Sequence, residues 1–160
     1  MTEVVSMIIG AVAALVAVQT VRLTRRQLDT NTTAPVRAGQ RDLRREVRAD
    51  VVALRALVAE ADQAAKNRER LPSVRPAYMK YLGWMEGDRF TDREVPRALA
   101  EALVPLTSWW ATHLAYLTAL QGGDPTDVAH RAVALSAEGR SAEVGLYRVI
   151  EVLNALDKQP

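Results

Sequence analysis

The chain contains no cysteine, so neither a disulfide framework nor a cysteine nucleophile is available to it. It also lacks the short motifs of common chemistries: a glycine-rich phosphate loop, a His-Glu-x-x-His zinc helix and a serine on a nucleophile elbow. Only two of its 160 residues are histidine. The sequence therefore predicts no catalytic residue, no metal site and no cofactor, and it favours a protein that is not an enzyme.

Charge is missing from one long stretch near the N-terminus. Between Val4 and Val21 there is no Asp, Glu, Lys or Arg, whereas Arg22, Arg25 and Arg26 follow at once. About 18 residues at a helical rise of about 1.5 Å cover about 27 Å, which is close to the thickness of a hydrocarbon core. This pattern predicts a single transmembrane helix.

The charges that flank this run predict its orientation. Basic residues beside a transmembrane helix stay on the cytoplasmic side, and every nearby one follows the run, whereas Glu3 precedes it. We therefore expect a protein of the inner (plasma) membrane with its N-terminus outside and its C-terminal domain in the cytoplasm. The absence of cysteine agrees with a reducing compartment without requiring one.

A signal peptide and a buried core helix are rival interpretations of the uncharged run. A signal peptide would carry positive charge before its apolar stretch and small residues at a cleavage site after it, and the chain has the reverse charge order. A buried helix of a soluble core is a stronger rival, because alanine, glycine, Ser6, Gln19 and Thr20 leave the run only moderately hydrophobic. An amphipathic interfacial helix would need a charged face, which this run lacks.

Basic charge is concentrated directly after the run. Between Arg22 and Arg48 there are eight arginines against three acidic residues, although the whole chain carries a formal net charge of only +2. Arginines beside a membrane meet anionic lipid headgroups, and we expect Arg22, Arg25 and Arg26 to make such contacts. No nucleic-acid-binding motif accompanies the charge, so nucleic acid is not an expected partner.

The remaining sequence has helical periodicity almost throughout. Its clearest amphipathic segment carries apolar residues every three or four positions: Leu43, Val47, Val51, Leu54, Val58, Ala61 and Ala65. This stripe fits either a coiled-coil seam that binds a partner or a face packed on the chain's own helices. The opposite faces carry Arg48, Asp50, Asp62 and other charges, as a solvated helix surface would.

Three further helices are predicted after the prolines of residues 71–76. A short aromatic helix covers Ala77 to Glu86. A long helix begins either at the capping-box pattern of Thr91 and Glu94 or near Pro96. Asp124 followed by Pro125 marks the start of the last helix, whose apolar stripe runs on to the C-terminus past two glycines that weaken it locally.

The predicted fold class is all-α. An N-terminal single transmembrane helix precedes an antiparallel helical bundle of three long helices plus one short aromatic helix, because short connections make neighbouring helices antiparallel. We divide the chain into an anchor at residues 1–21, a basic juxtamembrane segment and hinge at residues 22–39, and a bundle domain at residues 40–160. Pro35 and the polar residues before it predict the hinge.

Two features suggest association with other proteins. Ser6, Gly10 and Ala14 lie four residues apart in the anchor, a small-xxx-small pattern that lets two transmembrane helices approach closely. Seven of the eight aromatic residues lie between Tyr78 and Tyr116, and two of them, Trp109 and Trp110, point about 100° apart on a helix. Either one of this pair is exposed at an interface, or both are partly buried against the short aromatic helix. The candidate interface aromatics are Trp84, Trp109 and Trp110.

Three polar constellations fit ordinary helix structure better than they fit chemistry. Asp124, Asp127 and His130 have the spacing of metal or general-base groups on a helix, but helix capping accounts for the aspartates. An acidic loop, formed by Glu86, Asp88, Asp92 and Glu94, lacks the spacing of a calcium loop. His113 lies among aromatic residues and is expected at the edge of the core.

These patterns favour a membrane-tethered, cytoplasm-facing interaction or scaffolding module. We expect it to form a homo-oligomer, and its long amphipathic helix is a possible site for a protein partner. One alternative is a membrane-active effector, holin-like or defence-type, which permeabilises the membrane when it oligomerises; another is an unrecognised enzyme that acts on a membrane-bound substrate. In composition the first fifty residues resemble small membrane proteins of high-GC bacteria or their phages, which carries no functional residue across.

Overall fold

The fold was described from a computed structural model of the chain, which covers residues 2–86 and 89–158, with side chains from residue 35 onward. The described residues contain four helices: α1 (Thr2–Asn67), α2 (Arg75–Trp84), α3 (Glu94–Gly122) and α4 (Pro125–Asp157). None of these residues is in a strand. The all-α prediction is therefore confirmed at this level. The chain divides into two units, residues 1–41 and residues 42–160.

The second unit contains the core, and its part of α1 contributes the stripe predicted from the sequence. Val47, Val51, Leu54, Val58 and Ala61 are fully buried. Together they pack in one hydrophobic cluster with side chains of α2, α3 and α4. The stripe is therefore occupied by the chain's own helices and is not a free coiled-coil seam.

The first helix ends just before the proline-containing connection. Arg68 follows it with a φ of 58°, and Glu69 N donates to Ala64 O at 2.8 Å. A residue in the left-handed region reverses the chain and satisfies carbonyls of the last turn. Pro76 occupies the first turn of α2, where its missing N–H costs no hydrogen bond. The short aromatic helix is confirmed, with its start and end two residues earlier than predicted.

A carboxylate closes the first turn of α3. Asp92 Oδ1 accepts a hydrogen bond from Val95 N at 3.0 Å, so the helix begins at Glu94 and contains Pro96 in its first turn. The α3–α4 turn is as tight as predicted. Gly123 adopts a φ of 73°, in the left-handed region that glycine tolerates best.

The start of α4 also matches its prediction. Asp124 accepts a hydrogen bond from Thr126 N at 2.9 Å, and Pro125 occupies the first helical position. The predicted apolar stripe is partly buried at Val128 and Ala132 and is buried from there on, at Leu135, Gly139, Ala142, Leu146, Val149, Leu153 and Leu156.

Contacts across the second unit show that neighbouring helices run antiparallel. On α3 and α4, Ala102 lies against Gly145, whereas Trp109, farther along α3, lies against Gly139, earlier on α4. Tyr78 of α2 stacks on Trp110 of α3, whereas Tyr81, farther along α2, donates its hydroxyl hydrogen to Leu99 O, earlier on α3, at 2.7 Å. The tyrosine hydroxyl is deeply buried, and this burial raises the pKa of Tyr81 above its ordinary value.

Some charges that the sequence placed on a solvated face of α1 instead join helices. Asp50 accepts from Lys80 Nζ and from Trp84 Nε1, both at 2.8 Å. Arg48 donates to Leu153 O at 3.1 Å and pairs with Asp157. The expectation of a wholly solvated face was wrong because α2 and α4 lie beside the core stripe and reach the adjacent polar positions.

The first unit consists of residues 1–41 and is helical from Thr2 onward within α1. The sequence predicted a break before Pro35, whereas α1 contains this proline. An interior proline removes one backbone donor and strains one turn, and a helix can continue beyond it. No helix among the residues with described side chains has a stretch long and apolar enough to span a membrane. The predicted anchor, with its Ser6, Gly10 and Ala14 pattern, and the three arginines that follow it lie outside those residues.

Candidate interaction surface

The outward side of α4 carries an exposed row of large side chains. Arg140, Val144, Tyr147 and Glu151 follow one another at spacings of four, three and four residues, which places them on one side of the helix. All four are exposed, with 55% of Val144 and 47% of Tyr147 accessible. We call this row the α4 outer stripe.

Grooves border the α4 outer stripe on both sides. A groove of about 760 Å³ lies between α4 and α3, where Val104 is 74% exposed and Pro105 forms part of the wall. A second groove, of about 530 Å³, lies between α4 and Arg55 of α1. The Arg55 guanidinium sits over the Tyr147 ring, 5.3 Å from its centroid, in a cation–π contact.

The floor of the larger groove is formed where α3 and α4 approach most closely. A Cβ atom on Gly145 would lie 3.2 Å from Ala102 Cα and 3.2 Å from Pro105 Cγ. Only glycine therefore permits this spacing without movement of one helix. The close contact holds the apolar walls of the groove on two rigid helices.

Four charged side chains surround the apolar part of this surface, and they are not used inside the fold. Within the described residues, none of Arg140, Glu143, Arg148 and Glu151 forms an ion pair. Elsewhere on α4, by contrast, Arg131 pairs with Asp127 at 3.2 Å. Charges without an internal partner are available to a binding partner at little cost in internal contacts.

A second concave feature lies between α2 and α3. This cleft, of about 540 Å³, is lined by Arg75, Met79, Trp110 and His113 among others. The Trp110 indole stacks on Tyr78, with ring centroids 4.9 Å apart, and on His113 at 5.5 Å. The aromatic faces thus contact one another, and Trp110 is half-buried in the cleft wall.

His113 is the one buried ionisable side chain of this cleft. It is only 3% exposed, and its Nδ1 has no hydrogen-bond partner among the described residues. Burial removes the solvation of the imidazolium ion, so it lowers the pKa of His113 below the ordinary value of 6.5. The folded protein therefore favours neutral imidazole here.

This shift predicts that the protein loses stability in mild acid. Below about pH 6.5 the unfolded chain binds a proton at this histidine more readily than the folded chain does. The contribution of His113 is therefore complete above that pH and is lost as the pH falls toward the folded-state pKa. Chemical denaturation of the wild type between pH 7.5 and 5.5 should show this decline, and His113→Phe should reduce it.

The other histidine of the chain supplies the control for this experiment. His130 is exposed on α4, so His130→Gln should keep the wild-type dependence of stability on pH. An equal decline in His113→Phe and in the wild type would contradict the assignment to His113.

The tryptophans proposed from the sequence as interface residues occupy different environments. Trp84 and Trp109 are buried, at 6% and 0% exposure, and belong to the core. Trp84 Nε1 donates to Asp50, whereas the Trp109 indole packs against Gly139. Of these three, only Trp110 reaches the surface, in the α2–α3 cleft, where it is half-buried and stacks on Tyr78 of α2.

The weaker polar constellations are explained by local structure. Asp124 caps α4, Asp127 pairs with Arg131, and His130 is exposed. Asp92 of the acidic loop caps α3, while Asp88 lies outside the described residues. In the part of the chain with described side chains, no three acidic or histidine residues converge in a way that could hold a metal ion.

The α4 outer stripe was missed by sequence reasoning, although its spacing is visible in the sequence. We assigned one apolar stripe to each helix, and α4 has a second, shorter one made of Val144 and Tyr147 between two charges. A search for a second heptad-like spacing on the same helix would have found it.

No known protein family, curated protein or solved structure matches this chain.

Proposed function

We propose that this protein is a membrane-tethered interaction module that faces the cytoplasm, acts without catalysis and associates with further copies of itself. The observation that carries the proposal is the uncharged run from Val4 to Val21 with three arginines directly after it. The α4 outer stripe supports the association part, because it combines exposed apolar side chains with charges that have no partner within the described residues.

A scaffold of this kind needs a rigid surface more than it needs reactive groups. The stripe lies on a helix of 33 residues, buried along its opposite side and held against α3 at Gly145. A rigid surface loses little conformational entropy on binding, which favours association. The four charges around it would then select the partner and its orientation.

The membrane tether is tested by fractionation of cells that express the full chain. We expect the protein to remain in the membrane pellet through high-salt and alkaline washes, because a spanning helix is held by burial in lipid rather than by charge. Val12→Arg, at the middle of the run, should release it, since a central arginine costs about 2.5–3.5 kcal/mol on insertion. Val12→Leu is the matched control and should stay membrane-bound.

Two results would contradict this proposal. Wild-type protein in the soluble fraction would remove the tether and favour a buried N-terminal helix instead. Depolarisation of the expressing cells, measured with a membrane-potential dye, would favour the membrane-active effector, because a scaffold leaves the membrane potential unchanged.

A further inference from the structure

The α4 outer stripe has a symmetry in its sequence that a general binding surface would not need. Counted from the midpoint between Gly145 and Leu146, Arg140 and Glu151 are equally distant on either side, and so are Val144 and Tyr147. An opposite charge thus mirrors each charge, and an apolar residue mirrors each apolar residue. Self-complementarity of this kind is what a two-fold interface between identical subunits requires.

We propose that a second copy of this chain docks on the α4 outer stripe, with the two α4 helices antiparallel about a two-fold axis between Gly145 and Leu146. This inference rests on the self-association in the proposed function and specifies its surface and register. Spacings of four and three residues give the positions that face a neighbouring helix in an antiparallel pair. Val144 then faces Tyr147 of the second copy at the centre of the interface.

Electrostatics selects the antiparallel direction. In this register Arg140 faces Glu151 of the second copy, and the symmetry axis repeats that ion pair at the other end of the stripe. A parallel pair in register would instead place Arg140 against Arg140 and Glu151 against Glu151. Like charges at facing positions disfavour that arrangement, so the same residues that favour one orientation exclude the other.

The shape of the surface suits the α4 helix of a second copy. Grooves lie on both sides of the α4 outer stripe, and Val104 of α3 lines one of them. Two helices pack when the side-chain rows of one fit between the side-chain rows of the other, and the exposed rows of α4 are open to such packing. Farther from the axis the same register brings exposed Ala137 opposite Asn154 of the second copy. These two positions lie about 25 Å apart on one helix.

Chemical cross-linking tests the register directly, because the natural chain has no cysteine to interfere. Two variants of the full chain, Ala137→Cys and Asn154→Cys, are expressed separately with different tags. They are solubilised in mild detergent and then mixed. We expect a short bifunctional maleimide to link the mixture strongly and to leave each variant alone essentially unlinked. The antiparallel register separates equivalent cysteines by about 25 Å, beyond the reach of the reagent.

The outcomes separate this inference from the proposed function. Efficient linking of Ala137→Cys to itself would show association in a parallel register and would overturn the inference alone. A dimer by sedimentation with no cross-link in any sample would also overturn it, and would place self-association elsewhere, for instance in the anchor. A strictly monomeric protein by sedimentation would overturn both.

Charge reversal gives an independent measurement with a built-in rescue. Arg140→Glu or Glu151→Arg places like charges opposite each other at both ends of the interface and should weaken the dimer about tenfold. The double variant restores opposite charges and should recover near wild-type affinity by sedimentation. Arg131→Glu, about half a turn from Arg140 around α4, is the matched control and should leave affinity unchanged. Failure of the double variant to recover affinity would contradict the pairing, provided that its circular dichroism matches the wild type.

Discussion

Trp109→Ala is expected to lower the free energy of unfolding by about 3–5 kcal/mol, the largest effect among the variants discussed. The indole is fully buried and packs against Gly139 of α4. A Cβ atom added to Gly139 would lie 3.6 Å from Trp109 Nε1 and 3.9 Å from Val58 Cγ1 of α1. Its removal leaves a cavity where three helices meet. Trp109 Nε1 has no hydrogen-bond partner among the described residues, so the loss comes from packing. Denaturant titration followed by circular dichroism measures it.

The neighbouring tryptophan is the control for this prediction. Trp110 is half-buried in the cleft and keeps contact with solvent, so Trp110→Ala should cost clearly less than Trp109→Ala. Trp109→Phe should fall between the wild type and the alanine variant, because it refills part of the cavity. Equal losses from the two alanine variants would show that the core is not centred on Trp109.

Gly145→Leu is expected to destabilise the bundle by about 1–3 kcal/mol through overpacking. The nearest atoms to a new Cβ are Ala102 Cα, Pro105 Cγ and Ala102 Cβ, at 3.2–3.3 Å. None of these is the flexible end of a long side chain, so α3 and α4 must separate. The expected result is a lower denaturation midpoint, although leucine favours a helix more than glycine does.

A second glycine on the same helix provides the matched comparison. A Cβ at Gly139 would meet its nearest neighbours at 3.6–3.9 Å, which is ordinary van der Waals contact. Gly139→Ala should therefore stabilise the protein by up to about 1 kcal/mol, because alanine removes the entropic cost of glycine in a helix. Gly145→Ala should fail to show this gain. A gain of equal size at both positions would contradict the close approach at Gly145.

Most of the secondary structure of the bundle could be predicted because its signals are local. The stripe that includes Val47 and Leu54 follows from helical spacing, and the cap at Asp124 follows from the order of two residues. The start of α3 was harder to predict, because the capping-box pattern of Thr91 and Glu94 competes with Pro96 within six residues. In the structure Asp92 accepts a hydrogen bond from Val95 N, and the helix begins between the two predicted positions, at Glu94.

The candidate site was harder to predict than the fold. The interface predicted from the concentration of aromatic residues and from helix geometry named Trp84, Trp109 and Trp110. Large aromatic side chains suit interfaces and cores equally, so this prediction could not separate the two. Whether such a side chain is exposed depends on which helices pack beside it, and sequence periodicity does not report this for residues at the border of a stripe. The same uncertainty hid Val144 and Tyr147, whose helix already had a complete buried stripe.

By itself the sequence determined that the bundle is helical, where α4 begins, and which face of α1 and of α4 is buried in the second unit, because hydrophobic periodicity and capping act over a few residues. It also supplied the uncharged run on which the proposed membrane tether rests. Only the tertiary structure decided which of two adjacent tryptophans is buried, which of two glycines holds two helices together, and that Asp50 joins α1 to α2. These depend on distances between residues far apart in the chain, which local patterns do not encode.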